Sequence, residues 1–177
     1  MIIIHNHYKS DPNNKIMKIV HTYINNMYLN SNDEQSECFA DRWGLVSLVK
    51  RGHEVTLICG GDIKSKVKRE YICKGVKVIE LPTFIGSNNT TRVLRGFVSE
   101  LRKVDADIFH THHYCSLVPE ITAIIGKLRR IPVIVTYHTT FHGLSGISGF
   151  LERAYSIAMQ PFLPLYQKHL FISNYIK

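Results

Sequence analysis

The sequence predicts an α/β fold in which a mainly parallel sheet is covered by helices on both faces. Three observations predict it. Short apolar runs such as Ile131-Pro-Val-Ile-Val-Thr136 are continuous rather than alternating, as a strand buried on both faces requires. Between these runs lie segments whose apolar residues recur at helical spacing. The two signals alternate in units of roughly thirty residues, the span of a strand–helix–strand crossover.

Residues 1–15 stand apart as an N-terminal extension or an extra strand, since Asp11-Pro-Asn-Asn14 is turn chemistry. The domain proper is taken as residues 16–177, and Met17–Tyr23 is its first strand. A polar, asparagine-rich loop over 24–35 leads to a helix from about Ser36 to Arg51. That helix gathers Cys38, Phe39, Leu45, Val46 and Val49 on one side, and Gly52 ends it. His53–Cys59 is the second strand, closed by Gly60-Gly61. The stretch 62–74, with four lysines and Arg69, reads as an exposed basic hairpin or turn. Gly75–Leu81 is the third strand, stopped by Pro82.

A helix from about Thr90 turns Val93, Leu94, Phe97, Val98, Leu101 and Val104 inward. Arg92, Arg95, Arg102 and Lys103 fall opposite, an arrangement suited to an anionic membrane surface as well as to plain solvent. Asp107–His112 is a short fourth strand. The following helix carries Ile121, Ile124, Ile125 and Leu128 at helical spacing, with Pro119 tolerated in its first turn. Ile131–Thr136 is the fifth strand. A helix opening at Ser148 or Gly149 would bury Leu151, Ala154, Tyr155, Ala158 and Phe162 until Pro161 and Pro164 break it. His169–Ile172 is the sixth strand, and Ser173-Asn174 reads as the cap of another helix. The result is a Rossmann-like three-layer α/β/α domain. A chain ending at Lys177, just past that cap, is expected to be part of something longer.

Composition narrows the function. A length of 177 residues supports one sizeable core, and 45% hydrophobic with 20% charged residues is ordinary for a soluble globular protein. Apolar runs are strand-sized, and Met1-Ile-Ile-Ile4 is too short for a signal-peptide core, so a cytoplasmic location is expected. A net charge of +8 points to an anionic partner such as a phosphate, a phospholipid surface or nucleic acid. Cys38, Cys59, Cys73 and Cys115 show no C-x-x-C spacing and are expected to be reduced core thiols.

Neither the dinucleotide G-x-G-x-x-G nor the P-loop fingerprint occurs, nor the G-x-S-x-G elbow of hydrolases. Polar chemistry is concentrated instead where the apolar strands end. Ile131 to Thr136 runs into Tyr-His-Thr-Thr-Phe-His142, and the fourth strand ends in His110, His112 and His113. In open α/β sheets ligands sit beyond the carboxyl ends of the strands. His110 and His112, two apart, share one strand face. The histidines can serve as an all-imidazole metal site, as a hydrogen-bonding rim for a hydroxylated or phosphorylated ligand, or as packed core groups, the last applying to His110 in particular. No metal is expected.

Five segments occur in order: Leu48-Val-Lys-Arg-Gly-His-Glu-Val-Thr-Leu-Ile58, Gly75-Val-Lys-Val-Ile-Glu-Leu-Pro82, Asp107-Ile-Phe-His-Thr-His-His-Tyr114, Ile131-Pro-Val-Ile-Val-Thr-Tyr-His138 and Leu170-Phe-Ile-Ser173. Together, over residues 17–177, they resemble the N-terminal domain of the family-four retaining glycosyltransferases, one half of the two-domain GT-B architecture. The resemblance implies that this domain binds the acceptor, a sugar, phospholipid or polysaccharide. A C-terminal domain absent from this chain would bind the nucleotide-sugar donor. It implies retention of configuration, no cofactor, no catalytic metal and no nucleic-acid partner. It also implies that this chain alone is inactive. The strand-sized apolar runs and the basic helix at 92–103 lead to the expectation of a cytoplasmic enzyme working at a membrane surface.

Within that resemblance His138 sits beside the transferred sugar, and His112 and Tyr114 border the acceptor side. Thr139, Thr140 and His142 are further rim candidates. Where the family usually carries a Gly-Gly turn this chain has Gln35 and Ser36, and no glycine occurs between Met17 and Trp43. The alternatives are a stand-alone binding module or partner subunit for an anionic ligand, and a GT-B sugar-nucleotide epimerase domain, which would need a pair of cleft carboxylates.

Overall fold

A computed structural model describes residues 15–24, 44–85, 92–113, 116–137, 154–155 and 157–171. Its elements are β1 (Lys18–Tyr23), α1 (Leu45–Lys50), β2 (Glu54–Gly60), β3 (Arg69–Cys73), β4 (Val76–Leu81), β5 (Thr83–Ile85), β6 (Val93–Leu94), α2 (Phe97–Lys103), β7 (Ile108–His113), α3 (Val118–Arg129), β8 (Val133–Tyr137), a 3-10 helix (Gln160–Leu165) and β9 (Lys168–Phe171). Seven strands form one sheet in the order β3-β4-β2-β1-β7-β8-β9, parallel throughout except for the β3–β4 pair.

Side-chain alternation splits the core in two. On one face Leu45 of α1 packs with Tyr23, Val55, Leu57, Cys59, Val76 and Val78. On the other, Phe97 and Leu101 of α2 and Val118, Ala123 and Ile125 of α3 meet Val20, Ile58, Ile79, Phe109, Val133 and Val135. Both faces are apolar, which is why the strands read as continuous hydrophobic runs. Arg129 of α3 donates to the carbonyls of Leu101 (2.6 Å) and Val104 (2.7 Å), satisfying the end of α2 and tying the two helices together.

The basic stretch 62–74 does form a hairpin, and it adds an edge strand. Lys74 and Gly75 both take left-handed φ (48° and 84°), the two-residue turn whose twist suits a tight antiparallel pair. A Cβ on Gly75 would lie 2.7 Å from Val49 Cγ1, so the glycine also permits α1 to pack there.

Four expectations are corrected. The helix expected from about Thr90 begins at Phe97, because Val93–Leu94 pairs with β5 and Gly96 turns the chain at φ 82°. Val93 and Val98 are therefore exposed, while Leu94, Phe97 and Leu101 are buried. In α3 the buried side is built from Thr122, Ala123, Ile125 and Gly126, leaving Ile124 partly and Leu128 largely exposed. Small residues let α3 approach the sheet: a Cβ on Gly126 would lie 2.3 Å from Val133 Cγ2. Ala154 and Ala158 are exposed rather than inward. Cys59 is a buried free thiol, but Cys73 is disulfide-bonded, so the thiols are not all reduced.

The largest departure is Arg92. Expected on a solvated or membrane-facing helix surface, it is 3% exposed and precedes α2. Its guanidinium donates to the carbonyls of Ile24 (3.1 Å), Gly61 (2.7 Å) and Gly60 (2.9 Å) and to Thr83 Oγ1 (3.3 Å). It thus joins the carboxyl ends of β1 and β2 to the start of β5. A Cβ on Gly60 would lie 2.4 Å from Arg92 Nη2 and 2.5 Å from the Ile24 carbonyl, so only glycine leaves room. Substituting Arg92→Lys, which keeps the charge but loses the planar fork, should cost about 3 kcal/mol in urea unfolding, because buried carbonyls lose their donors. A change within about 0.5 kcal/mol, the range of ordinary surface substitutions, would show the staple to be dispensable.

Candidate functional site at the strand crossover

From β1 the chain moves outward through β2 and β4, then returns to the other side of β1 and continues through β7, β8 and β9. The direction of winding reverses between β1 and β7. In doubly wound sheets a crevice opens at this point, beyond the carboxyl ends of the strands. Here those ends are Tyr23, His113 and, one strand further, Tyr137. Of the acceptor-site residues expected from the sequence, His112 lies within the described residues. Gln35, Ser36, Tyr114, His138, Thr139, Thr140 and His142 lie outside them; β8 ends at Tyr137, immediately before His138.

Beneath the crossover the register brings three histidines together. His21 pairs with His110 across β1 and β7, and alternation places His112 on the same face. The His21 and His110 rings are 4.5 Å apart, and His110 and His112 stack at 4.6 Å. His21 Nδ1 lies 3.3 Å from His112 Nε2, so one of these two nitrogens carries the shared proton. His110 Nε2 lies 2.7 Å from Thr136 Oγ1 on β8. Tyr23 stands edge-on to His112 at 5.8 Å. Burial, reinforced by His110, holds the His21 pKa well below its ordinary value, so the ring is neutral. His112 is 4% exposed, which makes it part of the floor rather than an open rim. Sequence alone pairs His110 with His112 by their spacing. It does not bring in His21, because the β1–β7 register is a non-local fact.

The opposite sheet face carries a second polar group. Thr122 donates to the Val118 carbonyl (2.7 Å), so its single proton is committed and Thr22, 3.0 Å away, must donate to it. Glu120, in the first turn of α3, is buried. Tyr155 Oη lies 2.7 Å from the Ser116 carbonyl and 3.1 Å from Glu120 Oε1, one phenolic proton facing two acceptors. Burial pushes the Glu120 carboxyl up to about 7. A glutamate in a helix's first turn is ordinary in sequence, since the helix dipole favours it there, so nothing singled it out. Only tertiary burial makes it unusual. Alongside, Tyr137 stacks on Phe171 and His169 and approaches His169 Nδ1 at 3.1 Å, and burial raises its phenol to about 12.

A mainly parallel, doubly wound sheet covered by helices is a Rossmann-like α/β domain, consistent with one domain of the GT-B architecture. More particularly, the chain belongs to Glycosyltransferase Family 4, whose profile matches residues 46–177, and it is a domain of the N-terminal type. The matched span runs from α1 through β9; β1, with His21, lies ahead of it. No curated protein matches the chain significantly.

The Glu120 geometry sets a pH dependence. A carboxyl whose folded pKa is raised contributes stability that is complete below its unfolded value and lost as pH rises through the folded one. Between 4.5 and about 7 this amounts to ~3 kcal/mol. Chemical denaturation at pH 5 and pH 8 should therefore show wild type losing stability in this window, and Glu120→Gln should lack that component. Equal losses in both proteins would rule out a buried, proton-holding Glu120.

Proposed function

We propose that this chain is the acceptor-side domain of a glycosyltransferase that moves a sugar from a nucleotide-sugar donor to a lipid-linked or saccharide acceptor, with retention of configuration. The observation that carries the proposal is the family match over 46–177, on a sheet whose crossover edge receives the loops leaving β1, β7 and β8. In this proposal His138 contacts the transferred sugar. Tyr114, Thr139, Thr140, His142, Gln35 and Ser36 border the acceptor, and His112 supports them from beneath. Donor binding belongs to a separate C-terminal half. Residues 1–15 are an N-terminal extension or an extra strand.

A membrane-surface acceptor is supported by one face of the molecule. Phe84 and Ile85 are 58% and 61% exposed, and Val93 and Val98 are also exposed. Arg95 lies over the Phe84 ring at 5.4 Å, and Arg102 stands one helical turn beyond Val98, next to Lys103. Exposed apolar groups interleaved with cations suit an anionic headgroup layer. Arg92 takes no part, its donors being committed inside. No helix among the described residues is long and apolar enough to cross a membrane.

In the enzyme complete with its donor half, His138→Ala should lower turnover at least tenfold, roughly 1.4 kcal/mol of transition-state stabilisation. An unchanged rate would remove His138 from the site. The chain should also sediment with vesicles containing phosphatidylserine, but not with purely zwitterionic ones, and the association should weaken with salt. Reversing Arg95, Arg102 and Lys103 to glutamate should abolish it. Equal binding to both vesicle types, or binding indifferent to these substitutions, would sink the membrane-surface reading.

A further inference from the structure

We infer that His21, His110 and His112 form a binding site for a late first-row divalent cation, zinc foremost, that clamps β1 to β7 beneath the crossover. One ring nitrogen from each histidine lies within 4.8 Å of the others. Tetrahedral zinc with bonds of about 2.0–2.1 Å sets its ligand nitrogens roughly 3.4 Å apart. His21 Nδ1 and His112 Nε2, at 3.3 Å, already span such an edge. The wider separations need to close by at most about 1.4 Å, a modest ring movement.

A second observation points the same way. His21 Nε2 is buried with no hydrogen-bond partner among the described residues. A neutral imidazole has one donor and one acceptor nitrogen, so contacts within these strands leave half of this ring unsatisfied. A cation bound through Nε2 would use that capacity directly, and one bound through Nδ1 would fix the ring proton on Nε2. His110 Nε2 lies 2.7 Å from the Thr136 hydroxyl, a contact that fixes the orientation of this ring beside the other two.

The donor set determines the class of cation. Three imidazoles without a carboxylate favour zinc, copper, nickel or cobalt over magnesium, calcium or manganese. Three protein ligands leave a fourth position for water or another donor. The site does not rest on the glycosyl-transfer proposal. It joins two neighbouring strands where the winding reverses, so the cation's role is to hold the floor of the crevice in register. If glycosyl transfer were disproved, the clamp would stand unchanged.

The test uses the full chain, stripped with chelator, desalted and titrated with zinc chloride by calorimetry. Bound metal is counted by elemental analysis after gel filtration. One zinc per chain is expected, with a rise in melting temperature, and magnesium should produce neither. His110→Gln and His112→Gln, checked for folding by circular dichroism, should each lose the uptake and the thermal shift. Imidazole NMR signals of the wild-type chain give a readout that needs no variant, since one equivalent of zinc should shift those of His21, His110 and His112 together. The inference is overturned by absence of stoichiometric uptake. It is equally overturned by uptake that survives in the His110→Gln/His112→Gln double variant, or by zinc shifting the signals of other histidines instead.

Discussion

Strand β1 is hydrogen-bonded on both sides, to β2 and to β7, in parallel register along nearly its whole length. Its buried residues, from Val20 onward, must therefore suit one of two covered faces and two neighbours at once. Val20 and Ile24 enter the core under α2 and α3, while Tyr23 enters the one under α1. Between them His21 and Thr22 are polar and almost fully buried. A one-residue slip would exchange the faces, placing imidazole in the apolar core and valine among the histidines. The polar partners of His21 and Thr22 therefore depend on the register.

Arg92 extends the same constraint to the carboxyl edge. Parallel strands end in free carbonyls, and at the ends of β1 and β2 a single guanidinium gathers three of them. An arginine can do this because its fork presents several donors in one plane. The close approach is possible because Gly60 has no side chain. The edge bordering the crevice is thus held by a buried side chain, and the loops leaving it start from fixed points.

The strands were legible because burial on both faces writes itself as uninterrupted apolar sequence, in β2, β4 and β8 most plainly. Gly52 and Pro82 marked their boundaries by backbone chemistry that any context would enforce. The short pieces were not legible. β5 and β6 have three and two residues, too few for a period to register, and the apolar spacing of Val93 and Leu94 continued into α2 as though one helix held both. In α3 the isoleucine and leucine stripe located the inward face only in part: Ile125 is buried and Ile121 packs against the core, while Ile124 and Leu128 are exposed because the helix also packs by its small residues at Gly126 and Ala123. Of the candidate site, His110 and His112 could be joined by their spacing alone, whereas His21 and Glu120 could not be found.

What the sequence by itself determined was the α/β class, the order of the principal strands, the concentration of polar chemistry at their carboxyl ends and the family resemblance. These are carried by residues near one another in the chain, where periodicity and turn chemistry act without reference to the rest. Only the tertiary structure decided that β1 lies between β2 and β7, that three histidines therefore share one buried patch, that Arg92 faces inward and that Glu120 keeps its proton near neutrality. Each of these depends on which distant segment removes water from a side chain or supplies its partner, and that is settled by packing rather than by local spacing.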